Sequence, residues 1–143
     1  EDFGRLHPGG SLGKMLLKVE ELMHGGDKLP TVKPDSPMPD VVYEMSSKGL
    51  GLAAVVDGGG KVAGIVTDGD LRRLMQSRKD DALHLTAGEA MHKNPSTIRQ
   101  DEFAVAALRL MNDRKITSVL VLDSSDKLVG VVHIHDFWST RLF

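Results

Sequence analysis

Gly64-Ile65-Val66-Thr67-Asp68-Gly69-Asp70 returns 66 positions later as Gly130-Val131-Val132-His133-Ile134-His135-Asp136. In each stretch a glycine and two apolar residues lead to a hydrogen-bonding side chain, and an Asp follows three residues on. The same offset lays Thr31–Leu71 on Thr97–Phe137. Identical pairs are Thr31/Thr97, Asp35/Asp101, Met45/Met111, Val55/Val121, Asp57/Asp123, Lys61/Lys127, Gly64/Gly130, Val66/Val132 and Asp70/Asp136. A repeat at fixed spacing constrains architecture more strongly than any local propensity.

The apolar pattern is duplicated too. Met38, Val41, Val42 and Met45 mark one face of a helix, and Ala104, Ala107, Leu108 and Met111 occupy the same registers in the second copy. Short extended stretches, Thr31-Val32 and Thr97-Ile98, precede these helices. Two β-rich runs follow in each copy, Ala53–Asp57 with Val62–Thr67 and Val119–Asp123 with Leu128–His133. Gly58-Gly59-Gly60 and Ser124-Ser125-Asp126 are turn chemistry between them. Helices near Gly69–Gln76 and His135–Leu142 close the copies.

The expected class is therefore α/β (α+β), with two tandem βαββα repeats packed sheet to sheet in a pseudo-twofold module. A single unit would leave its sheet uncovered. The domain reading is residues 1–11 as the tail of a preceding domain, 12–26 as a linker helix, 27–82 as repeat 1 and 83–143 as repeat 2. In the linker, Leu12, Met15, Leu16, Val19, Leu22 and Met23 share a face, with Ser11 as N-cap and Gly25-Gly26 as stop. A matching short helix is expected over Ala87–Met91.

Composition narrows the function classes. A hydrophobic fraction of 41% with 27% charged residues is ordinary for a globular chain. A net charge of −2 without basic runs argues against nucleic-acid and membrane partners. The absence of Cys excludes disulfides and thiolate metal sites. No bilayer-length apolar stretch or signal peptide is evident, so the expected location is cytoplasmic. The start at Glu1-Asp2-Phe3 reads as a piece of a longer chain.

With both copies laid out, the chain resembles a pair of CBS domains from about Glu20 onward. The motifs that carry the resemblance are Gly64–Asp70 and Gly130–Asp136. Upstream, Asp2-Phe3-Gly4-Arg5-Leu6-His7-Pro8-Gly9-Gly10-Ser11-Leu12-Gly13 is similar to the end of the sugar-isomerase domain of D-arabinose-5-phosphate isomerases, which join a His-Pro-Gly-Gly segment to a CBS pair. The resemblance implies a parent enzyme that interconverts ribulose 5-phosphate and arabinose 5-phosphate, feeding synthesis of Kdo for lipopolysaccharide. It makes His7 a candidate acid/base residue of that parent. One His without the rest of a site gives no catalysis, so none is expected of this stretch.

Thr67 and Asp70 stand where a strand meets a helix N-terminus, a place suited to phosphate, and the Asp could accept ribose hydroxyls. Arg72 and Arg73 could add charge-assisted bonds. Thr67-x-x-Asp70 is equally a capping box that needs no ligand. In the second copy His133, His135 and Asp136 depart from this pattern, so the two clefts are not expected to be equivalent. The histidines could stack on a base or donate to phosphate, and a metal site is not expected. Lys48 lies between the first copy's helix and middle strand, and Lys115, Thr117 and Ser118 lie in the same place in the second. They are cleft candidates by resemblance, or simply helix C-termini. Thr31 and Thr97 head the first strands, where the family contacts base or ribose. The methionine stripes read as core.

The expected function is regulatory sensing of a nucleotide or nucleotide-sugar effector, with CMP-Kdo as a feedback candidate and AMP or ATP as the alternative. No cofactor is expected. A second possibility is a structural dimerisation module. The resemblance implies a homodimer of this stretch and a homotetramer of the parent.

Overall fold

The computed structural model describes residues 16–139. In chain order the helices and strands are α1 (Val19–Leu22), β1 (Thr31–Val32), α2 (Met38–Lys48), β2 (Leu52–Val56), β3 (Val62–Thr67) and α3 (Asp68–Ser77). There follow α4 (Ala87–Ala90), β4 (Thr97–Arg99), α5 (Ala104–Arg114), β5 (Ser118–Leu122), β6 (Leu128–His133) and α6 (His135–Ser139). They form two compact units, Asp27–Pro95 and a second that joins residues 16–26 to 96–139.

Each unit carries one three-stranded sheet, in the order β1-β2-β3 or β4-β5-β6. The first pair of strands is parallel and is connected through a helix, as a parallel crossover requires. The second pair is an antiparallel hairpin. The duplicated βαββα class is therefore observed. Met38, Val41 and Met45 of α2 are buried with Ala53, Val55 and Val66 of the strands. In the other unit Ala104, Ala107 and Met111 of α5 meet Val119, Val121 and Val132. Leu52, Ala54, Leu120 and Val131 are buried as well, so these strands read as continuous apolar runs rather than alternating ones.

Two of the repeated identities have a local cause. The Asp57 carboxylate accepts the N–H groups of Gly59 (2.9 Å) and Lys61 (3.0 Å), closing the first hairpin. Asp123 does the same for Ser125 (2.8 Å) and Lys127 (3.0 Å). The Lys127 and Ser125 amides hold the Asp123 carboxyl below the usual carboxylate range.

Helices α2 and α5 both end in a left-handed residue, Gly49 (φ 69°) in the first and Lys115 (φ 56°) in the second. Glycine takes this conformation freely, whereas a Cβ is crowded by the following carbonyl. Relief of about 1–2 kcal/mol of left-handed strain, partly offset by about 0.5–1 kcal/mol of glycine chain entropy, leads us to expect a small net stabilisation from Lys115→Gly, read as a higher urea midpoint.

The expected linker helix over 12–26 needs correction. Ser11 and the first part of that segment lie outside the described residues. Within them, Leu16 is helical, the helix breaks at Leu17 and Lys18, where Lys18 is extended, and a separate turn of helix covers Val19–Leu22. The backbone here is claimed by tertiary partners: Val19 N–H donates to Glu102 C=O (2.8 Å), Glu20 N–H to Gln100 C=O (3.0 Å), and Leu17 C=O accepts from Ala104 N–H (2.6 Å). These bonds override the helical periodicity. Gly25-Gly26 is not the stop, because the chain is already extended at Met23, and His24 pairs with Val131. The Ala87–Met91 helix is present as α4, capped by Thr86 and Glu89.

The compact units also cut the chain elsewhere than at the repeat boundaries. The segment leading into repeat 1 packs with the strands of repeat 2, where Val19 and Leu22 join the core around Phe137. The segment leading into repeat 2 packs with repeat 1 through Ala87. Each leading segment contributes a Met-His dipeptide. His24 exchanges backbone bonds with Val131 (2.8 and 3.0 Å), and His92 does so with Ile65 (2.8 and 2.9 Å). Among the described residues no helix is long and apolar enough to cross a membrane.

Candidate functional site

At the β3–α3 junction, Thr67 turns the chain from strand to helix. Its Oγ1 accepts the Asp70 N–H (3.1 Å), while Asp70 Oδ2 accepts the Thr67 N–H (3.1 Å). The capping box is thus formed. Asp70 Oδ1 accepts from the Arg73 guanidinium at 2.8 Å, with the Arg73 side chain 71% exposed. Asp68 N–H donates to Gly51 C=O (2.9 Å), which brings the α2–β2 connection against this junction. Arg72 is exposed on α3.

Thr31 and Lys48 form a different grouping. Both meet the Glu44 carboxylate, which accepts Thr31 N–H (3.2 Å) and the Lys48 ammonium (2.9 Å). The adjoining shallow cleft is lined by Thr31, Lys33, Asp40, Tyr43, Glu44 and Asp57. Its three carboxylates outnumber Lys33 and the Lys48 that Glu44 already holds, which makes poor company for a phosphate.

The second junction keeps half the capping box. His133 N–H donates to Asp136 Oδ2 (2.7 Å), as Thr67 does to Asp70. The ring then replaces the missing hydroxyl, with His133 Nδ1 accepting His135 N–H (3.1 Å). The two imidazoles lie 4.6 Å apart, tilted by 58°. Ser118 pairs with His133 across β5 and β6, and Thr117 C=O accepts Ile134 N–H (2.8 Å). Lys115 is exposed at the end of α5, and Thr97 is exposed beside Leu120 on β4. His7 lies outside the described residues. Among the described residues no cluster of three or more His, Cys, Asp or Glu could hold a metal.

Sequence reasoning missed His24. Its Nε2 lies 2.7 Å from Asp136 Oδ1, with side chains 31% and 13% exposed. The signal was present as Met23-His24 and Met91-His92, but these pairs precede the aligned stretch and recur at a spacing of their own. In the first unit the corresponding carboxylate is taken by Arg73. Position 139, which corresponds to Arg73 in the repeat, is a serine.

Burial pushes the His133 imidazole below its ordinary 6.5, and His135 and His24 push it the same way while Asp136 opposes them. Below 6.5 the unfolded chain therefore binds this proton before the folded one does. The stabilisation is complete above 6.5 and is lost as pH falls through the lower folded value. The melting temperature is expected to drop from pH 7.5 to pH 5.5, and His133→Asn should remove part of that drop.

The CBS domain family model matches residues 19–77 and 87–137. The chain is 44% identical over 137 residues to the arabinose 5-phosphate isomerase KdsD of Pseudomonas aeruginosa, covering 95% of this chain and 42% of that protein. Identity to KdsD of Escherichia coli is 43%, covering 95% and 41%. The chain thus spans about two fifths of the length of these curated relatives. Among solved structures, CBSX2 in complex with AMP aligns with a TM-score of 0.76 at 24% identity, covering 88% of this chain and 96% of that one. A CBS domain protein from Pyrobaculum aerophilum complexed with AMP aligns at 0.75 and 22% identity, covering 84% and 89%. At such identities the likeness concerns the fold. Two matched stretches, two βαββα units and two related strand-to-helix junctions make the chain a CBS pair, a member of the CBS domain family.

Proposed function

We propose that this CBS pair is the ligand-sensing, regulatory part of an arabinose 5-phosphate isomerase and binds a nucleotide-type effector. The observation that carries the reading is the pair of junction carboxylates. Asp70 and Asp136 are each oriented by a backbone N–H and remain 22% and 13% exposed. A fixed carboxylate at such a mouth suits the vicinal hydroxyls of a ribose, with Arg73 or the imidazoles near a phosphate. Two proteins of the same fold were solved with AMP. The likeness to KdsD supports an isomerase parent, whose pathway makes CMP-Kdo a candidate end-product effector.

The test is calorimetric titration of the chain with CMP-Kdo, CMP, AMP and ATP. At least one should bind, and Asp70→Ala or Asp136→Ala should weaken that binding tenfold or more. If none binds, the sensing reading is lost. A second reading, self-association as a dimerisation module, draws on exposed aromatic surface, with Tyr43 73% and Trp138 58% exposed. Light scattering after size exclusion would show a dimer that Tyr43→Ser or Trp138→Ser dissociates.

A further inference from the structure

The tip of the first hairpin, Asp57-Gly58-Gly59-Gly60, carries chemistry of its own. Asp57, Gly58 and Gly59 are exposed. One carboxylate oxygen of Asp57, Oδ1, accepts both the Gly59 N–H (2.9 Å) and the Lys61 N–H (3.0 Å). The carboxyl is thus folded back over the turn. The first amide nitrogen after it, that of Gly58, belongs to a residue with no side chain to crowd its movement.

We propose that Asp57 is a site of spontaneous covalent modification, at which the folded chain converts the Asp57-Gly58 bond into an isoaspartyl linkage. The Gly58 nitrogen attacks Cγ of the protonated carboxyl, and an N–Cγ bond forms. The Gly58 N–H proton and the Oδ2 hydroxyl leave together as water, closing a five-membered succinimide. Solvent water then adds to one of the two ring carbonyls. Opening at Cγ restores Asp57, whereas opening at the main-chain carbon leaves the chain running through the side chain. Nothing is oxidised or reduced, and the water lost is balanced by the water added. Negative charge on the tetrahedral intermediate develops on Oδ1, where two backbone N–H groups already point.

Two other sites in the chain act as internal controls. Asp68-Gly69 is the same dipeptide, and Asp68 is exposed too, but it opens helix α3. Ring closure brings the Gly nitrogen and the Asp main-chain carbon, Cα, Cβ and Cγ toward one plane. A helical ψ of about −42° holds the nitrogen out of that plane. The Asp68 N–H is also bonded to Gly51 C=O (2.9 Å), which ties this turn down further. An exposed, glycine-rich tip can instead reach the planar arrangement by local opening.

Asp123-Ser124 shares the hairpin geometry, with Asp123 Oδ1 accepting the Ser125 and Lys127 N–H groups. There the attacking nitrogen belongs to a residue with a side chain. Arg99 also clamps that turn, through Asp126 (2.6 Å) and the Asp123 C=O. Gly60 stands at the position of Asp126 and offers no carboxylate for such a clamp. Sequence would rank the two Asp-Gly pairs together; the fold separates them.

The product alters the hairpin. The Asp57 C=O that accepts Gly60 N–H (3.1 Å) becomes a pendant carboxylate, and the main chain gains a methylene. The end of the β2–β3 hairpin loosens, and a carboxylate moves in the cleft shared with Thr31 and Glu44. The reaction needs only water and is independent of any bound effector.

The test is incubation of the whole chain at physiological temperature and neutral pH, in water enriched in heavy oxygen. Peptide mapping with electron-transfer fragmentation, together with methyl labelling by an isoaspartyl methyltransferase, locates the product. Isoaspartate is expected at Asp57 at least fivefold faster than at Asp68 or Asp123, with one heavy oxygen incorporated. In concentrated urea Asp57 and Asp68 should convert at similar rates, because the helix no longer protects the second. Gly58→Val should slow conversion at least fivefold in the folded chain. A Cβ at Gly58 meets nothing within 4 Å and its φ lies outside the left-handed range, so the turn tolerates the change. An Asp57 that stays intact, or converts no faster than Asp68 in the folded chain, would overturn the proposal. So would a product without heavy oxygen, or a Gly58→Val chain that converts as fast as the parent.

Discussion

Phe137→Ala is expected to cost about 3–5 kcal/mol, a large part of the 5–15 kcal/mol that holds a typical domain together. The ring is 0% exposed in the core formed by Val19, Leu22, Ala104, Ala107, Met111, Val119, Val121 and Val132. Removing it leaves a void that the helix and strands around it can only partly close. It also loosens the residue next to Asp136, so ligand response should weaken along with the melting temperature. The corresponding residue of the first repeat, Leu71, is only partly buried against its core, and Leu71→Ala should cost clearly less. Urea denaturation of the two variants gives the comparison. Similar losses would mean that the second core does not depend on Phe137 as the packing requires.

The next largest effect is expected from Gly64→Ala. A Cβ there would lie 2.6 Å from Met91 Sδ and 2.8 Å from His92 C=O, the oxygen that accepts the Ile65 N–H. Overpacking of this kind costs about 1–3 kcal/mol. The matching Gly130→Ala meets Met23 side-chain atoms, at 2.5, 2.9 and 3.0 Å. A methionine can rotate away, whereas a carbonyl held in a hydrogen-bonded bridge cannot. A double-mutant cycle separates the two cases. Met23→Ala should relieve most of the Gly130→Ala penalty, whereas Met91→Ala should leave much of the Gly64→Ala penalty in place.

These glycines show how far the sequence could be read. Their repetition marked the duplicated unit, and the apolar stripes of α2 and α5 located both cores, because local periodicity determines which face is buried. What covers the glycines was harder to see. Met23 and Met91 come from segments outside the aligned stretch, and each packs on the strands of the other repeat. The linker helix was overestimated for the same reason: its periodicity was sound, but residues 100–104 take over its backbone bonds. In the site, Thr67-x-x-Asp70 was legible as a cap and is one. The His24–Asp136 contact joins residues 112 positions apart and left only a repeated Met-His pair as its trace.

That separation bears on how the protein is made. A ribosome adds roughly 5–20 residues per second. Residues 27–95 therefore emerge as a unit that already contains its own core. The leading segment, made earlier, must wait about 6–20 s for the partner strands that will bury Val19 and Leu22. During that interval its apolar face is open to chaperones or to another nascent chain. Unit Asp27–Pro95 can fold as it is synthesised, while the unit carrying the histidine cluster assembles only when the C-terminal repeat arrives. A segment translated before unit Asp27–Pro95 is thus packed after it.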